Sequence, residues 1–337
     1  MAQVQLLVTA SISPFRERIG SSDDPLTLVD MPEFGSTELG VRGLAIETSM
    51  LAGASVATLE GLRDAGDKAR CPMLLLMEDE PLKFADPDPD VRAASIERIG
   101  RLSRAASILG CAQLGVSIAG KDGEEPFELA ASTIREAMQR IDRFEVSLLL
   151  KSSGGLTAEP DRLTELIKKI GGFRIGSLPD FRAAHDTGDF SGALRRLAPY
   201  AGTILATVGK VNSGGKATRS KADPTPFDVC EGLESVLAVG YQHAICLDHA
   251  GGPRAVETIV DARTRIEDLL APAVEAEAEE AAAAEQRQVT AEPANADSPE
   301  ESSTESSEEI SEGDADGTTA GNGDGADLTE GGVGEDA

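Results

Sequence analysis

The stretch VSLLLKSSGGLTAEPDRLTELIKKIGGFRIGSLPDF, residues 146–181, decides the fold. A near-continuous apolar run over 145–150 is followed by a polar, glycine-rich link. Leu163, Leu166, Ile167 and Ile170 then recur at helical spacing, opened by Thr157 and Asp161, before a second apolar run at 173–178. Apolar runs of this kind fit strands whose two faces are both covered, and a helix between two of them is the crossover that parallel strands need. The same unit recurs outward in both directions. Further runs lie at 4–9, 43–47, 73–77, 113–118, 203–208 and 243–247, making eight candidate strands. Between them lie helical patterns such as Ser95, Ile99, Leu102, Ala106 and Leu109, or Val229, Leu233 and Val236 after Pro224 and Pro226. Strict alternation predicts a parallel sheet, and eight repeats within residues 1–272 predict a closed (β/α)₈ TIM barrel, with an open doubly wound sheet as the alternative.

Composition changes abruptly at the end of that span. Residues 273–337 hold 20 of the 59 acidic residues and one of the 31 bases, Arg287, so that the body carries about −9 of the total −28. Large apolar side chains are almost absent there, and such a segment cannot bury enough surface to offset the entropy of ordering it. The sequence therefore predicts a disordered acidic tail over 273–337. An acidic body disfavours nucleic acid and anionic membrane as partners, because both need a basic surface. The N-terminus lacks the features of a signal peptide, no run is long enough to span a bilayer, and Cys71, Cys111, Cys230 and Cys246 show no C-x-x-C spacing. These features together predict a cytoplasmic protein with reduced thiols.

In a barrel, residues at the C-terminal strand ends line the functional face. Here they include Ser11, Ser13, Glu47, Glu78, Asp79, Lys121, Lys151, Asp180, Lys210, Asp248 and His249, most of them ionisable. The segments LLLKSSGGLT (148–157), IGSLPDF (175–181), TILATVGK (203–210) and VLAVGYQHAICLDHAGG (236–252) resemble the sugar phosphate isomerase/epimerase family, the xylose-isomerase-like barrels. The resemblance spans roughly residues 1–272 and lies in pattern. It implies a small sugar or sugar phosphate as ligand and one divalent cation, Mn²⁺, Mg²⁺ or Zn²⁺, held by a Glu of strand five, an Asp of strand six, a nearby His and a Glu of strand eight. By that correspondence Asp180 and Asp248 are the metal ligands, but Lys151 stands where the strand-five Glu is expected, and strand seven supplies no His. An ammonium cannot ligate a cation and repels one at ligand distance, which makes the metal site degenerate.

Lys151, Asp180, Lys210 and Asp248 are thus the candidate catalytic residues, with Glu47, Glu78, His249, Lys216 and Arg219 as candidate ligand-binding ones. Lys216 and Arg219 belong to the basic stretch GKVNSGGKATRSKADP (209–224), read either as a solvated loop or as a lid that closes on an anion. Two functions follow: an isomerase or epimerase whose lysine replaces the metal as electrostatic partner, or a catalytically silent barrel that binds a ligand or scaffolds a partner. The tail makes a separate prediction. Truncation after Pro272 should leave the thermal midpoint within about 4 °C of the full chain, and a larger drop would show that the tail packs on the barrel.

Overall fold

A computed structural model of the chain describes residues 6–19, 21, 26–209, 227–249 and 252–271. Eight parallel strands are present: β1 (Leu7–Ser11), β2 (Leu44–Glu47), β3 (Met73–Met77), β4 (Gln113–Val116), β5 (Ser147–Lys151), β6 (Ile175–Leu178), β7 (Thr203–Thr207) and β8 (Ala244–Asp248). The helices in chain order are α1 (Met31–Phe34), α2 (Val56–Ala69), α3 (Pro89–Leu109), α4 (Glu124–Ile141), α5 (Pro160–Ile170), α6 (Phe181–Asp186), α7 (Phe190–Leu197), α8 (Val229–Leu237) and α9 over 255–271. Hydrogen-bonded neighbours run β6-β5-β4-β3-β2-β1-β8-β7. The remaining seam, between β6 and β7, is bridged at Ser177 with Ala201 and at Asp180 with Leu205, where the Leu205 amide donates to the Pro179 carbonyl at 2.8 Å. The sheet thereby closes into the expected TIM barrel.

Closure sorts the side chains into two cores. Outward strand residues such as Leu76, Leu148, Leu150, Ile204 and Leu247 pack with the helices into one large apolar shell. Inward residues form a second, smaller cluster of Ala45, Leu75, Leu149, Leu178, Leu205 and Cys246, with Met77 against it. An eight-stranded barrel has just enough interior to be filled by its own side chains, so this layer is a floor and not a pore. Glycine is used where the floor is tightest. A methyl on Gly115 would lie 2.6 Å from Leu178 Cδ2, and one on Gly176 would lie 2.6 Å from the Tyr200 carbonyl oxygen. Below the floor, Thr203 donates to Gln113 Oε1 at 2.6 Å and Gln113 donates to the Gly202 carbonyl at 3.2 Å, so the polar groups at the closed end are satisfied.

Several boundaries shift from those expected. The sixth strand starts at Ile175 instead of 173, leaving Phe173 fully exposed in the turn after α5. The eighth runs one residue later, which brings Asp248 into the strand. The fifth likewise includes Lys151. Residues 273–337, for which a disordered tail is expected, lie outside the described residues. Among the described residues no helix is long and apolar enough to cross a membrane.

Candidate functional site

Two residues beyond each inward floor position, the strand alternation brings Ser11, Glu47, Asp79, Ser117, Lys151, Asp180, Thr207 and Asp248 to the C-terminal mouth of the barrel. Seven of these are hydroxyls or carboxylates beside one ammonium, immediately above an apolar floor. Asp180 is the most constrained. Its backbone amide donates to Ser152 Oγ at 3.0 Å, and its Oδ1 accepts the Arg182 amide at 2.8 Å as the N-cap of α6. That leaves Oδ2 free to face Lys151 Nζ at 3.3 Å. The Asp180 side chain is 12% exposed and that of Lys151 36%, so the pair is sheltered on the carboxylate side and open on the ammonium side.

Asp248 reaches the same place from β8. Ser13 Oγ donates to its Oδ1 at 3.3 Å, Ser11 supplies a further hydroxyl, and the His249 amide donates from the backbone. Burial nevertheless pushes its carboxyl above the ordinary value, aided by the charge of Asp180 and opposed by Lys151. Lys151, Asp180 and Asp248 are therefore within electrostatic reach of one another.

A second group occupies the β2–β3 side. Glu47 is raised by burial and then by the charge of Asp79, with Arg16 opposing and Asp248 adding to the rise. Burial also acts to raise Asp79, but the Ser49 amide at 2.7 Å, the hydroxyls of Thr48 and Ser49, each at 2.9 Å, and Arg16 together hold it below its ordinary value. The neighbouring carboxyls are thus driven apart, Glu47 toward the protonated form and Asp79 toward the ionised one. Arg16 covers both, with Nη2 at 2.5 Å from Glu47 and 3.7 Å from Asp79.

The expected residues are distributed unevenly. Lys151, Asp180, Asp248 and Glu47 converge on the mouth. Glu78 does not: it is one residue out of phase with the floor, so its buried carboxylate turns outward to Arg98 of α3 at 2.8 Å, with Thr48 as a further donor. His249 enters through its backbone amide. Lys210, Lys216 and Arg219 lie outside the described residues. Lys121 is exposed in the loop after β4. The sequence reading missed Arg16, which follows β1 by five residues, and it placed Asp79 at a strand end without choosing it over Glu78.

The implied cation does not fit this arrangement. An ammonium holds the position opposite Asp180, and among the described residues no three His, Cys, Asp or Glu side chains are grouped so as to hold a metal ion.

No family model matches the chain, and no curated protein matches it significantly. Solved structures do. D-psicose 3-epimerase from Clostridium cellulolyticum H10 shares 15% identity over 75% of this chain and 89% of its own, with a TM-score of 0.61. A 3-keto-D-glucoside 4-epimerase from E. coli shares 12% over 77% and 100%, at 0.60. A xylose isomerase domain protein from Planctomyces limnophilus shares 16% over 79% and 96%, at 0.56. The fold is that of the xylose-isomerase-like barrels.

The raised carboxyl of Asp248 has a consequence for stability. Its pKa is higher folded than unfolded, so the folded state binds the proton more tightly and stability falls as pH rises above the ordinary aspartate value of 3.8. Asp248→Asn, which removes that buried charge, should raise the melting temperature at pH 7, and the gain should shrink to nothing as pH falls below about 4. Thermal melting of both proteins across pH checks this; a gain that persists undiminished at acid pH contradicts it.

Proposed function

We propose that this barrel acts on a small polyhydroxylated carbonyl compound, a sugar or sugar derivative, by moving a proton on the carbon next to the carbonyl, without a divalent cation. The observation that carries the proposal is the convergence of an ammonium with two carboxyls of raised pKa at one mouth. Abstraction of a proton beside a carbonyl places negative charge on the carbonyl oxygen, and a fixed cation at that oxygen lowers the barrel's barrier to the step. Lys151 supplies that cation. Asp180, locked by Ser152 and by its own capping bond, aims it. Glu47 on β2 and Asp248 on β8 flank β1, which in an eight-stranded ring stands opposite β5, so a substrate in the mouth lies between the carboxyls and Lys151. One carboxyl takes the proton and the other returns one; their elevated pKa values bring both closer to the neutral range in which such transfers work best. The names of the similar structures, sugar epimerases and a sugar isomerase domain, support the same substrate class.

A second reading rests on a specific observation: Lys151 pairs with Asp180 and Arg16 with Glu47, so the chain's own side chains already neutralise much of the mouth. In that case the barrel binds a sugar without converting it.

Proton exchange separates the two. With D-fructose, D-tagatose and their 6-phosphates in D₂O, nuclear magnetic resonance should show deuterium entering next to the carbonyl, undiminished by EDTA. Lys151→Met should slow it on the order of 10²-fold, comparable to the loss of one oxyanion donor elsewhere. Binding without exchange selects the silent barrel. Exchange abolished by EDTA and restored by Mn²⁺ overturns the metal-free mechanism.

A further inference from the structure

Beside the mouth, between the loop after β5 and helix α6, lies a cavity of about 360 Å³ that shares Lys151 and Asp180 with the site already described. Its walls are set by interactions that do not depend on a ligand. Ser152 Oγ is fixed by the Asp180 amide, the Ser153 amide donates to the fully buried Thr157 at 3.3 Å, and Gly155, at φ +68°, packs so closely that a methyl there would lie 2.1 Å from the Gly120 carbonyl oxygen. The loop is therefore held open in one shape, the condition under which a site binds without first having to be ordered.

Two charged side chains border this cavity on its exposed side, Arg182 and Glu159. Among the described residues the Arg182 guanidinium and the Glu159 carboxylate form no ion pair, with each other or with any other group. Opposite charges on one cavity that do not meet leave room between them for something that both donates and accepts hydrogen bonds. The charge balance narrows what that is. Lys151 and Arg182 contribute two positive charges, and Glu159, Asp180 and Asp186 three negative ones, so the lining is net acidic and disfavours a phosphate. A sugar ring suits it: hydroxyl oxygens accept from the guanidinium and hydroxyl protons go to the carboxylates. The volume lies within the roughly 300–1,000 Å³ of ordinary small-molecule pockets.

We infer that this cavity is a second, neutral-sugar subsite, and that the ligand is a glycoside whose reacting unit sits in the mouth while a second ring lies against Arg182 and Glu159. The inference rests on the sugar reading of the mouth and specifies its substrate class. Its test is isothermal titration of the full chain with D-fructose, D-fructose 6-phosphate and the keto-disaccharides turanose, lactulose and isomaltulose, which attach a second ring at three different positions. At least one disaccharide should bind on the order of tenfold more tightly than D-fructose, and the 6-phosphate should gain nothing over D-fructose. Arg182→Ala and Glu159→Ala, both surface changes, should each weaken the preferred disaccharide far more than D-fructose. If D-fructose binds as well as every disaccharide, or its phosphate binds best, the second subsite is wrong and the sugar reading stands. If none of the five binds, both are wrong.

Discussion

A closed eight-stranded sheet leaves room inside for little more than one layer of side chains at a time, and that constraint governs everything above it. Once Leu75, Leu149, Leu178, Leu205 and Cys246 fill the floor, alternation fixes which residue of each strand comes next. Lys151 stands two residues above Leu149, Asp180 two above Leu178 and Asp248 two above Cys246. Their convergence follows from packing before any ligand is considered. The apolar floor shelters the mouth from below, and burial leads the causes that raise Asp248 and Glu47.

Charge at the mouth is distributed in two coupled groups. On one side Lys151 faces Asp180 and acts on Asp248; on the other, Arg16 draws Glu47 and Asp79 together while local donors decide which of the two ionises. Placing several acids on one small surface works against stability, because like charges repel and burial disfavours the ionised form. The protein limits that effect with hydroxyls and amides from Ser11, Ser13, Thr48 and Ser49, and not by moving the carboxylates apart.

Much of this was legible in the sequence because it depends on periodicity. The eight apolar runs, the crossover helices and the ionisable strand ends are all local patterns, and Lys151 in LLLKSSGG is one of the strand-end residues that alternation brings to the mouth. Glu78 and Asp79 share one strand end, where proximity alone does not separate them; counting two from Leu75 and two again from Met77 reaches Asp79 and turns Glu78 out to Arg98. Arg16, Arg182 and Glu159 carried no such signal. They lie on short helical turns and loops after the strands, where the direction of a side chain depends on turn geometry and long-range contacts that a single sequence does not encode in its spacing.

The central claim is that the Lys151 ammonium takes the place of a divalent cation. Isothermal titration with Mn²⁺ of the native chain and of Lys151→Glu tests it most directly, because the substitution removes a repelling charge and adds a ligand beside Asp180 and Asp248. The account predicts no tight binding by the native chain and a gain of at least about tenfold, on the order of 1.4 kcal/mol, in the variant. Stoichiometric tight binding by the native chain, or no gain in a folded variant, would contradict it.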